Sequence, residues 1–333
     1  MRVLVAVLSG VAMLLAIWQL EQGRSGLTIA PLAGTGTTPA TLYLKDGAGQ
    51  APVVVVAHGF AGSRQLMESF SLTLAQAGYV VASFDFQGHG RNPVPMSGDV
   101  TSIDGTTRLL MEETARVARA ALAHPRADGR LAYLGHSMAS DVVIRQAQSD
   151  PPGDAVVAVS MFSQAVSATE PRNLLAVSGG WETRLINESR RVLRLADPSA
   201  TLGDTVGVPA DGTGRRAAVA PGVEHVGVLY SQTTLREARD WLDAAFGRNS
   251  SGPVAQRGGW IALLLVATIA LGWPLARSLP TGAGPRACPR AGSGWWPCYR
   301  PLLRRLLWPR WTCAFCRSWW PITLPCILAY TVC

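Results

Sequence analysis

The chain has 333 residues, enough for one large α/β domain with additional segments. Its formal net charge is +8, and the eight arginines from Arg277 onward, with no Asp or Glu after them, account for all of it. The first 276 residues are therefore neutral, so the basic balance belongs to the tail and gives no sign of a nucleic-acid-binding face on the rest, and with all six cysteines (Cys288, Cys298, Cys313, Cys316, Cys326, Cys333) in the last stretch, the rest has neither a disulfide framework nor a thiol nucleophile.

In chain order, Val3 to Leu20 is an uncharged run of 18 residues preceded by Arg2. At about 1.5 Å per residue it spans roughly 27 Å, close to a bilayer core. Glu21-Gln22-Gly23-Arg24 follows instead of a small-residue cleavage pattern, so residues 1–22 are read as an uncleaved anchor rather than a removed signal peptide. Strands are then expected at Thr41–Leu44, Pro52–Ala57, Tyr79–Phe84, Leu131–Leu134, Ala155–Ser160, Asn173–Val177 and Arg216–Ala220. Helices are expected at Gln65–Ala77, Thr106–His124, Asp141–Gln148, Trp181–Leu195 and Thr233–Phe246. Continuous β-branched runs alternating with amphipathic helices predict an α/β fold, a mostly parallel sheet with helices on both faces, over residues 25–250.

Trp260 to Ala276 is a second apolar run with no polar stripe, giving a second expected transmembrane helix over 258–278. Arg2 before the first span and the arginines after the second put both ends in the cytoplasm and residues 21–259 on the other side, with the domain at the cell membrane. Residues 279–333 form an Arg-, Trp- and Cys-rich tail interrupted by prolines. Its Cys313-x-x-Cys316 lacks a second pair at metal-ligand spacing, so no metal site is expected, and Ile322–Val332 is apolar but too short to span.

The chemistry gathers around Leu131-Ala-Tyr-Leu-Gly-His-Ser-Met-Ala-Ser140. This reads as strand, sharp turn and helix, with Ser137 at the turn. Gly135 and Ala139, two residues either side, are small where strand and helix backbones nearly touch. The Met138 amide would open the helix and face an oxyanion formed at Ser137. Two further motifs fall at expected strand ends, His58-Gly59-Phe60-Ala61-Gly62-Ser63 and Gly222-Val223-Glu224-His225. Between them Ser178-Gly179-Gly180-Trp181-Glu182 follows another strand. Carboxyl ends of parallel strands are where such a sheet collects its site.

With Asp85-Phe86-Gln87-Gly88-His89-Gly90-Arg91 added, the stretch over residues 40–248 resembles the α/β-hydrolase family. The resemblance implies a serine hydrolase, most simply a carboxylic-ester hydrolase of the esterase, lipase or dienelactone-hydrolase kind. It implies Ser137 as nucleophile, His225 as general base, and the Phe60 and Met138 amides as oxyanion hole, with no metal or organic cofactor. Glu182 takes the place of the family's acid, with Asp204 and Asp211 as alternatives, since both precede the last expected strand. His89 is expected to pack, His124 to end a helix in solvent, and His58 and His136 to belong to backbone motifs. Only a dozen residues separate Ser160 from Asn173, so an open site without a helical lid is expected. An open site between two anchors suits a small-molecule or amphiphilic ester as substrate, beside the membrane, with no nucleic-acid partner. A serine peptidase of related fold and a catalytically inactive binding module remain the alternatives.

Overall fold

The structure, a computed structural model, describes residues 1–99, 102–250 and 252–279. The cysteines, the run Ile322–Val332 and all arginines after Arg277 lie outside the described residues.

Strands β1 (Leu27–Pro31), β2 (Ala40–Lys45), β3 (Ala51–Ala57), β4 (Val80–Phe84), β5 (Ala127–His136), β6 (Ala155–Val159), β7 (Leu174–Gly179), β8 (Thr205–Val206) and β9 (Arg215–Ala220) form one sheet in the order β1-β2-β4-β3-β5-β6-β7-β9-β8. From β4 to β9 the central strands run parallel; β2, β1 and β8 are antiparallel to their neighbours. Helices α1 (Arg2–Gln22), α2 (Glu68–Gln76), α3 (Arg108–Leu122), α4 (Met138–Ala147), α5 (Thr183–Ala196), α6 (Gln232–Phe246) and α7 (Gly258–Ser278) complete the order.

The expected mostly parallel sheet with helices on both faces is what the chain forms. The four valines of β3 show why. Side chains alternate across a strand, so Val53 and Val55 join one core and Val54 and Val56 the other. The first core packs α3, α4 and α5 through Val117, Val143 and Val192; the second packs α2 and α6 through Leu72 and Leu242. A strand buried on both faces has no polar alternation, and only a continuous β-branched run satisfies it.

Boundaries move where local geometry overrides pattern. The helix expected from Trp181 begins at Thr183, because the amides of Gly180 and Trp181 bond Ala220 and Val223 carbonyls instead. The helix expected from Asp141 begins at Met138, directly after the turn. The helix expected from Thr106 starts with a short wide turn at Ile103–Thr107 before α3. Strands β1 and β8 were not expected; both are edge strands, one largely exposed and ending in Pro31, the other two residues long.

Two devices hold the framework. Buried Asp85 accepts hydrogen bonds from the Arg64 amide at 2.7 Å, the Arg64 guanidinium at 2.7 Å and the Arg91 amide at 3.0 Å. Gly90, at φ 54°, closes over it, since a Cβ there would lie 2.4 Å from the Asp85 carboxyl carbon. Asp85→Asn should lower stability by about 2 kcal/mol, read as a lower denaturation midpoint, because the half-buried Arg64 cation loses its buried counter-charge. The second device is Glu68, which pairs with Arg24 at 2.6 Å and Arg257 at 2.8 Å. Arg24 follows α1 and Arg257 precedes α7, so one carboxylate ties both helices to the sheet domain. The two helices pack on one another, and each is long and apolar enough to cross a membrane.

Candidate active site

β5 ends at His136 and α4 starts at Met138, which leaves Ser137 alone to reverse the chain at φ 53°, ψ −119°. That conformation is strained for a residue with a side chain and persists only where the surroundings fix it. The Ser137 amide donates to the Val159 carbonyl at 2.9 Å and its carbonyl accepts the Ser140 hydroxyl at 2.6 Å. A Cβ on Gly135 would lie 2.5 Å from the Ala139 carbonyl oxygen, so glycine is required there. Ala139 itself is buried, and its methyl group packs into the core without displacing the turn.

The Ser137 hydroxyl lies 2.8 Å from His225 Nε2. His225 follows β9, and its Nδ1 lies 2.5 Å from Glu182 Oε1. Glu182 is the residue before α5, just past β7. Its other oxygen, Oε2, accepts the Ser160 hydroxyl and the Gly179 amide, each at 2.6 Å. A carboxylate only accepts, so Nδ1 carries the ring proton and Nε2 is left as the acceptor for the serine hydroxyl. The three side chains come from the ends of β5, β7 and β9, which pair side by side with β6 between the first two.

Phe60 and Met138 flank Ser137. Met138 is the first residue of α4, whose leading amides have no acceptor within the helix. Gly59 stands directly against Ser137, for a Cβ built on it would be 3.0 Å from the Ser137 Cβ. The Gly59 carbonyl is taken by the Gly62 amide at 3.1 Å and His58 Nδ1 at 2.8 Å. In a trans peptide this turns the Phe60 N–H to the opposite side. The connection over residues 160–173 contains no helix or strand and forms no helical lid.

A family model described as serine aminopeptidase, S33, matches residues 49–201. Two uncharacterised proteins of Mycobacterium tuberculosis, from strains CDC 1551 and H37Rv, are 30% identical over 210 residues, 59% of this chain and 69% of theirs. The chain belongs to the α/β-hydrolase superfamily. Among solved structures, dienelactone hydrolase from Anabaena variabilis is 17% identical with a TM-score of 0.48, covering 65% of this chain and 96% of that one. TT1662 from Thermus thermophilus is 18% identical with a TM-score of 0.46, covering 67% and 99%.

In this α/β-hydrolase the other histidines have separate duties. His58 Nε2 accepts the Phe86 amide at 3.1 Å while Nδ1 donates to Gly59, so the ring is neutral and braces the Phe60 loop. His136 Nε2 donates to the His225 carbonyl at 2.9 Å and holds that loop, its ring 4.8 Å from the His225 ring. His89 packs its ring on His58 and Phe60. His124, half-buried, accepts the Arg126 amide near the end of α3. Asp204 accepts from Thr201 and Asp211 lies exposed in a short turn; neither bonds His225, so neither stands in the place of the acid.

Burial pushes both His58 and His136 down to about 4 from the usual 6.5. Each is neutral in the fold and protonates near 6.5 when unfolded. Below pH 6.5 the unfolded chain therefore binds more protons, and stability drains away as pH falls toward 4. The expected loss is about 1.4 kcal/mol per pH unit for each histidine within that window. Denaturant midpoints of the detergent-solubilised protein at pH 7, 6 and 5 would read this slope, and an unchanged midpoint would contradict it.

Ser160 is a site residue that sequence reasoning missed. It directly follows β6 at φ 50°, buried, with its hydroxyl on Glu182. The available signal was its position, the carboxyl end of the strand between those carrying Ser137 and Glu182. Among the described residues no group of His, Cys, Asp and Glu is arranged to hold a metal ion.

Proposed function

We propose that the chain is a membrane-anchored serine hydrolase that cleaves carboxylic esters through an acyl-enzyme on Ser137. The observation that carries this is the continuous Ser137–His225–Glu182 hydrogen-bond relay, at 2.8 and 2.5 Å. His225 Nε2 takes the hydroxyl proton as Ser137 Oγ attacks the ester carbonyl carbon. The Phe60 and Met138 amides stabilise the resulting oxyanion, each worth roughly 3 kcal/mol. The tetrahedral intermediate collapses, the bond to the alkoxy oxygen breaks, and His225 returns the proton to the leaving alcohol. Water, deprotonated by His225, then attacks the acyl-Ser137 carbonyl; acid leaves and the serine proton is restored. Glu182 keeps Nδ1 protonated and stabilises the imidazolium, without taking the proton itself. No step calls for a metal or an organic cofactor.

The apolar helices α1 and α7 act as the anchors, with 25–250 as the hydrolase domain between them at the cell membrane. Arg2 at the start of α1 and the arginines from Arg277 onward assign both ends to the cytoplasm and the domain to the other side. A reporter active only in the cytoplasm, fused just after α1, should be silent.

The family model's description favours a second reading, a serine aminopeptidase. Such an enzyme needs a carboxylate free for the substrate's amino terminus. Of the two carboxylates flanking this histidine, Glu182 is held by His225, Ser160 and Gly179. Glu224 accepts the Val226 and Gly227 amides, each at 2.7 Å. The ester reading asks for no such group. The full-length protein should turn over p-nitrophenyl esters of some chain length and leave aminoacyl p-nitroanilides intact; the reverse preference would establish the peptidase, and turnover of neither would favour a binding module.

A further inference from the structure

The two anchor helices join the domain along α2: α7 begins near Glu68, and the chain leaving α1 runs past Gln76 into the amino edge at Leu27. β3 and β4 are parallel, so α2 must carry the chain from the carboxyl edge of the sheet back to its amino edge. Glu68 at the start of α2 therefore lies toward the carboxyl edge and Gln76 toward the other. The segment before α7 runs along α2 the other way, from Gln76 toward Glu68. A Cβ on Gly252 would lie 2.8 Å from the Gln76 backbone, the Ala255 amide donates to Thr73 Oγ1 at 2.9 Å, and Arg257 pairs with Glu68. α7 begins at the next residue, where a Cβ on Gly258 would be 2.8 Å from Tyr230, five residues past His225. α1 ends at the same place, its Leu20 carbonyl accepting from Arg257 at 3.0 Å.

The same edge carries exposed apolar side chains. Phe60 follows β3, Phe162 follows β6, Trp181 follows β7 and Val226 follows β9, with exposures of 68, 60, 70 and 46%. All four strands are parallel, so all four residues surround the mouth over Ser137. Large apolar groups exposed together mark a surface with a partner. Here the partner is set by continuity, because α7, a membrane-length helix, begins beside that edge, α1 packs against α7, and Glu68 ties both helices to the domain.

Resting on the esterase reading above, we infer that the carboxyl edge lies on the bilayer that holds α1 and α7, and that the substrate is an ester of a bilayer-resident lipid. Phe60, Phe162, Trp181 and Val226 enter the interfacial layer, where aromatic rings are favoured. An acyl chain then reaches Ser137 from the membrane without crossing bulk water.

The test uses the full-length protein in phosphatidylcholine vesicles carrying a trace of phosphatidylcholine with a photoreactive diazirine near the carbonyl end of one acyl chain. After irradiation, peptide mass mapping should find lipid adducts on the segments holding Phe162 and Trp181 as well as on α1 and α7. Adducts on α1 and α7 alone would overturn the proposal, as would adducts on neither. A rim free of lipid in a protein that sediments as a dimer would replace it with a dimer interface. A second arm compares Ser137 labelling by a long-alkyl fluorophosphonate embedded in the vesicles with labelling by a water-soluble one. Phe162→Ser combined with Trp181→Ser should slow the embedded probe about tenfold and leave the soluble probe unchanged. Equal slowing of both, or of neither, contradicts it. If neither probe labels the wild type, the serine-hydrolase reading fails, while the adduct map still decides which way the edge faces.

Discussion

Ser137→Ala is expected to lower kcat for the best aryl ester by at least about 10,000-fold while the protein stays folded. The loss is large because the serine supplies both the attacking atom and the proton that His225 carries forward. The fold should tolerate the change. The hydroxyl's one hydrogen bond is to His225, which is partly exposed and can turn to water. The strained backbone at residue 137 is held by its amide and carbonyl, which alanine retains. The Phe60 and Met138 amides also remain, so hydrolysis above the uncatalysed rate should persist at a low level. Adding His225→Ala to Ser137→Ala should cost almost nothing further, since the two residues act as a unit. A loss of only tenfold would mean the ester is cleaved elsewhere.

Glu182→Gln is expected to lower kcat by about 10,000-fold as well, through a different route. The amide nitrogen of glutamine donates where the carboxylate accepted. Ser160 and the Gly179 amide both donate to Oε2, so they select the glutamine oxygen for that side and turn its NH2 toward His225. His225 Nδ1 must then accept, which moves the ring proton to Nε2 and removes the base from Ser137. Binding should change little, so KM stays near the wild-type value while kcat falls. Ser160→Ala leaves the carboxylate charge and its two other donors, the Gly179 amide and His225 Nδ1, in place, and a loss on the order of tenfold in kcat is expected. Steady-state kinetics on the three variants separates these cases.

Much of this fold was legible because buried parallel strands leave no choice of residue. The valine run of β3 and the apolar runs of β5, β6 and β7 admit little else, and the helices between them carry a clear apolar stripe. The edges were not legible. β1 shows three of five residues exposed and β8 is two residues long, so neither has a hydrophobic pattern to read. The helix boundaries at Met138 and Thr183 depend on how tightly the chain turns after a strand, which hydrogen bonds across the sheet decide.

For the site, the small residues around Ser137 and the placement of each motif after a strand brought Ser137, Glu182 and His225 into view together. Asp204 and Asp211 were the alternatives to Glu182 in sequence, and the pairing of β7 with β9 sets Glu182 beside His225. Ser160 had only its place at a strand end as a signal, because its partner lies 22 residues away and one serine there has many ordinary explanations. The neutral states of His58 and His136 were equally hidden. They follow from which backbone groups each ring touches, and no spacing in the sequence encodes that.

The most direct measurement is the mass of the Ser137 peptide after the full-length protein meets a water-soluble fluorophosphonate, with Ser137→Ala alongside. One stoichiometric adduct on Ser137, absent from heat-denatured protein and from the variant, is the expected result. Folded wild-type protein that takes up no adduct, or takes it up on another residue, would contradict an activated serine at this site and leave a hydrolase fold serving as a binding module.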